Sequence, residues 1–205
     1  MSISKLNTQE KGVAINIISQ GLIKAAESLS FFMNEKITFK EFSEDEFLNS
    51  PPIDLGKKDE NNIHFLTTRV IGDLKGVCCL IFSEDEADSL RSAALPAEIL
   101  ESPEMMSEMS DGIMLEVDNI ISASVITEFS NLLKVKIHGS IPDLKKVNFE
   151  EMESIIADEM SNKLFRISFK ISFESSNSGF NPEFIWLFDN AFIECIKEFT
   201  VSKEA

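Results

Sequence analysis

From Ile113 to Leu132, apolar residues recur at three- and four-residue steps. Ile113, Val117, Ile120, Ile121, Val125, Phe129 and Leu132 form one stripe, which predicts a core-facing helix through "LEVDNIISASVITEFSNLL". Glu116 and Asn119 fall on another stripe, with Ser122 and Ala123 next along it. The face beside Asn119 is small enough for a neighbouring backbone to approach. An earlier stretch, "VAINIISQGLIKAAESLSFF" from Val13, has the same character. It shares N-I-I-S with "EVDNIISASVITEFSNLLKV" from Glu116 at an offset of 103 residues.

Elsewhere the period drops to two. In "RISFKISF", Ile167, Phe169, Ile171 and Phe173 face one way and Arg166, Ser168, Lys170 and Ser172 the other, which predicts a strand. "SSNSGFN" predicts a turn, and "FIWLF" an apolar return strand. The first half offers "IHFLTTRVIG", a turn near Asp73 bracketed by Gly72 and Gly76, and "GVCCLIF". Ser83 with Glu86, and Asn148 with Glu151, have the spacing of capping boxes that begin helices.

Each half therefore reads as helix, strand, variable connection, hairpin and helix. A doubling near 100 residues is too long for a solenoid repeat and fits two similar halves fused together. We expect an α+β fold with a pseudo-two-fold repeat: an antiparallel sheet with two long helices packed on it. Residues 1–205 would form a single domain with halves of about 1–100 and 101–205. The polar connection "EFSEDEFLNSPPIDLGKKDENN", with Pro51 and Pro52, reads as an exposed excursion rather than a linker.

Composition narrows the function classes. Of 205 residues, 43% are hydrophobic and 26% charged, the balance of a globular chain. The net charge of −16 argues against nucleic acid and anionic membranes and favours partners with a cationic patch. No apolar run reaches membrane-span length, and "MSISKLNTQEKG" lacks the regions of a signal peptide. Cys78, Cys79 and Cys195 are odd in number, and two are adjacent in an apolar run, so they read as buried thiols. His64 and His138 lie in separate strand-like segments. These features predict a cytoplasmic protein with no structural metal.

A solvated helix face is the ordinary reading of an E-x-x-N pair. Here the first-half copy keeps Asn16 although Val13 stands where Glu116 does, and Asn is a poor helix-interior residue. Two oxygen donors are too few for a metal, and an amide is no base at neutral pH. It can accept a hydrogen bond from water while donating to an anionic oxygen. That suits holding a water in line with a phosphoryl group, where catalysis is mostly positioning. Glu116 could hold a lysine on the phosphate carrier.

Glu116, Asn119 and, after twenty-two intervening residues, Pro142 fit a spacing that resembles the signature of the CheC/CheX/FliY family of chemotaxis phosphatases, closest to CheC. The doubled architecture extends the resemblance over nearly the whole chain. It implies hydrolysis of the aspartyl phosphate of a CheY-type response regulator: the Asn orients the attacking water and the Glu binds a regulator lysine. It implies no cofactor of the chain's own, since the Mg²⁺ belongs to the regulator. It also implies possible binding to the deamidase CheD, and we expect a monomer. Departures exist. Gly112 stands four residues before Glu116, where the family has Asp or Ser, and would bend or restart the helix. In the first half Phe39 holds the Pro position, so Asn16 reads as a degenerate second site. The alternative is a non-catalytic adaptor binding CheD, a regulator or the flagellar switch. The lack of a FliN-like extension after Phe199 weighs against the flagellar version. A ligand sensor using a concavity between the halves is a third, less supported reading.

Overall fold

The computed structural model describes residues 6–40, 62–161, 165–170, 172–174, 179–180 and 182–202. Helix α1 (Thr8–Phe32) starts at a capping box: Glu10 N–H donates to Asn7 Oδ1 at 2.9 Å, and Asn7 N–H to the Glu10 carboxylate at 2.7 Å. Then come β1 (Thr38–Lys40), β2 (Ile63–Gly72), β3 (Gly76–Ser83), α2 (Glu84–Ala94), the single turn α3 (Ala97–Leu100) and the long α4 (Pro103–Leu133). The rest of the chain forms β4 (Ile137–Gly139), β5 (Asp143–Val147), α5 (Phe149–Ser161), β6 (Phe165–Lys170), β7 (Ser172–Glu174), β8 (Gly179–Phe180), β9 (Glu183–Phe188) and α6 (Asn190–Ser202). Both expected capping boxes form, Ser83 with Glu86 and Asn148 with Glu151. Residues 41–61, most of the expected excursion, lie outside the described residues.

The strands build an antiparallel six-stranded sheet. Its order is β4-β2-β3-β9-β6, and β5 shares the β2 edge with β4. The β2–β3 turn needs glycine: Gly72 has φ +128°, and a Cβ there would lie 2.0 Å from the Lys136 carbonyl oxygen. A second sheet of three strands runs β1-β7-β8. "RISFKISF" thus divides between two sheets: β6 pairs with β9, and β7 with β1 and β8. A period of two fixes which way side chains alternate but says nothing about which strand lies alongside. The stretch read as a turn contains β8.

β3 and β9 are buried along their whole length because the six-stranded sheet is covered on both faces. Cys78, Leu80, Phe82, Phe184, Trp186 and Phe188 face the main core, with α1, α4 and α6. Val77, Cys79, Ile81, Ile185 and Leu187 face Met152 and Ile156 of α5. None of the three cysteines forms a disulfide, and Cys78 and Cys79 are buried. The α+β architecture with two long helices on an antiparallel sheet is as expected.

Helices α1 and α4 meet at Gly21, where a Cβ would lie 2.6 Å from Val125 Cα. Residues of α1 after Gly21 lie beside residues of α4 before Val125: Glu27, Ser28, Phe31 and Phe32 share a groove with Glu116 and Ile120. The helices are therefore antiparallel, with Gly21 at their closest approach.

Candidate functional site

Helix α4 begins with Ser102 at its N-cap and Pro103 in its first turn, where the missing N–H costs nothing. It runs unbroken through Gly112, so the helix does not restart there. Gly112 is exposed, and a Cβ there would meet nothing within 4 Å. The helix closes on Lys134 in the left-handed region, φ 58°.

Ile113, Val117, Ile121, Val125 and Phe129 are buried as expected, while Ile120 and Leu132 are half-buried at the stripe's edges. Glu116 and Asn119 are both exposed on the outer face, with Ala123 next along. Ser122 does not belong to that face. At 100° per residue it stands about 40° from the buried Asp118 and about 60° from Val125, and it is buried.

Its partner is a residue the sequence reading missed. Asp118 lies between the two candidate residues yet points inward and is 0% exposed. Its carboxyl group accepts from Thr68 Oγ1 of β2 at 2.7 Å and from Ser122 Oγ at 3.2 Å. Burial raises its pKa to about 6, against the lowering effect of those two hydrogen bonds. The signal was available in the sequence, because position 118 shares the face of 114, 121 and 125. Asp118 thus anchors α4 to the sheet while Glu116 and Asn119 face outward.

Glu116 also lines the shallow groove of about 690 Å³ between α4 and the end of α1. Phe31 and Phe32 form its other wall and are 91% and 38% exposed. Asn16 is exposed on α1, and Val13 is half-buried against the core. Asn16 precedes Gly21 and Asn119 precedes Val125, so the antiparallel pair carries the two amides on opposite sides of its closest approach. At 1.5 Å per residue they stand roughly 16 Å apart along the helices. Pro142 is half-buried between β4 and β5, and Phe39 packs its ring against Phe173 at 6.1 Å.

A separate polar cluster ties β2 and α2 to α4. His64 is buried with Nε2 3.1 Å from Glu84, and burial holds its pKa down against the raising effect of Glu84. Arg91 donates to Glu84 at 2.9 Å and to Ser110 of α4 at 3.1 Å, and it pairs with Asp88. This cluster braces the helix, although the buried His64 Nδ1 has no hydrogen-bond partner in it. Among the described residues no group of three or more His, Cys, Asp or Glu side chains is placed to hold a metal. No described helix is long and apolar enough to cross a membrane.

The fold has known counterparts. FliY from Thermotoga maritima matches with TM-score 0.69 at 18% identity, covering 97% of this chain and 98% of that one. The middle domain of FliM from H. pylori matches with TM-score 0.56 at 14% identity over 95% and 99%. CheX from Borrelia burgdorferi, solved in complex with CheY, BeF₃ and Mg²⁺, matches with TM-score 0.50 at 15% identity over 85% and 99%. No family model and no curated protein matches the sequence. The chain therefore has the CheC-like fold that its sequence predicts, shared with FliY, CheX and the FliM middle domain. These likenesses do not rank CheC above the others.

Proposed function

We propose that this chain is a member of the CheC/CheX/FliY family that hydrolyses the aspartyl phosphate of a CheY-type response regulator in chemotaxis signalling, through Glu116 and Asn119. The observation that carries the reading is their joint exposure, three positions apart on one face of a long helix. The fold is one in which a relative, CheX, has been crystallised with CheY carrying BeF₃ and Mg²⁺. The regulator brings its own Mg²⁺, and this chain needs no cofactor. Asn119 Oδ1 accepts from a water while its NH₂ donates to a phosphoryl oxygen. The water's oxygen bonds to phosphorus, the bond from phosphorus to the aspartyl oxygen breaks, and inorganic phosphate leaves a regenerated carboxylate. Glu116 holds a regulator lysine and fixes the docking register.

We read the chain as one domain of two similar halves, acting as a cytoplasmic monomer with one intact site. Asn16 lacks an acidic neighbour three residues before it and is the degenerate second site. The test is a dephosphorylation assay with a phosphorylated CheY-type regulator and Mg²⁺, comparing Asn119→Ala, Asn16→Ala and the double variant. Asn119→Ala should slow turnover by about 100-fold or more, on the scale of one removed positioning group, and Asn16→Ala should change it little. Equal phosphoryl lifetimes with wild type and Asn119→Ala would end the proposal.

The likeness to FliM middle domains favours keeping a second reading: a non-catalytic adaptor for CheD, a regulator or the switch. Regulator binding that is independent of phosphorylation, with CheD or switch proteins captured and no hydrolysis, would support it instead.

A further inference from the structure

Phe31 stands almost fully in water at the last turn of α1, with Phe32 half out beside it. Single exposed apolar residues are commonplace. Two adjacent aromatics lining the same groove as a candidate site residue are not. We propose that Phe31 and Phe32 are the wall against which a CheY-type receiver domain docks, and that the matching surface on that domain is a basic side chain set among apolar ones. This rests on the reading of Glu116 and Asn119 given above.

Charge selects the occupant. Glu27 and Glu116 lie with the two phenylalanines along one groove, so acid and aromatic surface are presented together. Lys24, one turn earlier, is turned away in an ion pair with the buried Glu128. A partner that offers an ammonium group flanked by apolar side chains satisfies both features. A second copy of this chain does not, because a two-fold contact here would oppose Glu27 and Glu116 to themselves on molecules each carrying −16. The apolar surface also continues along α4. Met105 and Met109 are exposed and share a helical face with Gly112 and Glu116.

The other end of the helix pair supplies an internal comparison. At the offset that aligns Asn16 with Asn119, Phe31 and Phe32 correspond to Lys134 and Val135, Glu27 to Ser130, and Glu116 to Val13. That end thus has an exposed cation where this one has an aromatic ring, and no acid at either position. An incoming lysine is attracted at one end and repelled at the other. The wall therefore gives a reason, independent of Asn16, why the molecule takes its partner on one side.

The experiment uses the whole 205-residue chain, a phosphorylated CheY-type receiver domain for kinetics and the same domain loaded with BeF₃⁻ and Mg²⁺ for calorimetric binding. The variants are Phe31→Ala with Phe32→Ala, and Phe31→Lys, which copies the opposite end. Circular dichroism checks that both fold. The expected result is a KM about tenfold higher or more with kcat within about twofold, and a matching loss of affinity, whereas Asn119→Ala lowers kcat. If wild type is active and the aromatic variants keep its KM, the wall is refuted while the phosphatase reading stands. If wild type binds the loaded receiver without hydrolysing its phosphate and the variants lose binding, the wall stands and the phosphatase reading falls. If wild type neither binds nor hydrolyses, both fall. Should sedimentation reveal a dimer that Phe31→Lys dissociates with receiver binding unchanged, a second copy is the occupant and the proposal is overturned.

Discussion

Replacing Asp118 by Asn keeps the shape of a buried side chain but removes its proton equilibrium. In the folded protein this carboxyl group titrates at about 6, against 3.8 for an ordinary Asp, because burial penalises the charged form. Between those values the unfolded chain has released the proton and the folded chain has kept it. Stability therefore falls as pH rises through this window, at about 1.4 kcal/mol per pH unit. Over the roughly two units separating the pKa values the loss reaches about 3 kcal/mol and then levels off above pH 6. The amide of Asp118→Asn would carry no such penalty; its Oδ1 can accept from the Thr68 hydroxyl, while its NH₂ takes the place of the oxygen that faced Ser122 and donates to that hydroxyl instead. The variant's stability relative to wild type should therefore climb by about 3 kcal/mol between pH 3.5 and 7. His64, whose lowered pKa costs stability below its ordinary value, contributes equally to both proteins and cancels in the difference. Urea unfolding followed through the single tryptophan, the buried Trp186, measures each curve. A stability gap independent of pH across that range would refute the account of Asp118 as a desolvated acid.

Two further substitutions test the helix pair. Gly21→Ala places a methyl group 2.6 Å from the Val125 backbone, so α1 and α4 must separate; we expect a loss of about 1–3 kcal/mol in denaturant unfolding. Gly112→Ala meets open space within an unbroken helix and should stabilise the protein by about 1 kcal/mol in the same measurement. A neutral Gly21→Ala, or a destabilising Gly112→Ala, would contradict the close approach at one position and the free face at the other.

Much of the fold was legible because local rules and tertiary environment agreed. "GVCCLIF" and "FIWLF" are apolar throughout, and both become strands covered on two faces. Ser83 and Asn148 cap the helices their spacing announced. The beginning of α4 was less visible. Its stretch from Pro103 is rich in Met, Ser and Glu and passes through Gly112, so no apolar stripe marks it before Ile113; only Ser102 and Pro103 mark the start. Asp118 was overlooked because charge suggested surface, although helical phase put it inside. Glu116 and Asn119 could be picked out by spacing and repetition. The phenylalanine wall could not, since its position depends on how α1 crosses α4, and nothing local encodes that crossing.

The seam between β3 and β9 joins two parts of the chain more than 100 residues apart, and every residue on both strands is buried. Cutting the polypeptide near residue 100 would leave β3 with a bare row of amide and carbonyl groups on an eight-residue hydrophobic edge. Such a fragment has two escapes, clumping or recruiting a replacement strand from another molecule. Whatever route led from one motif to two, the present arrangement leaves neither portion able to stand without a neighbour in that slot.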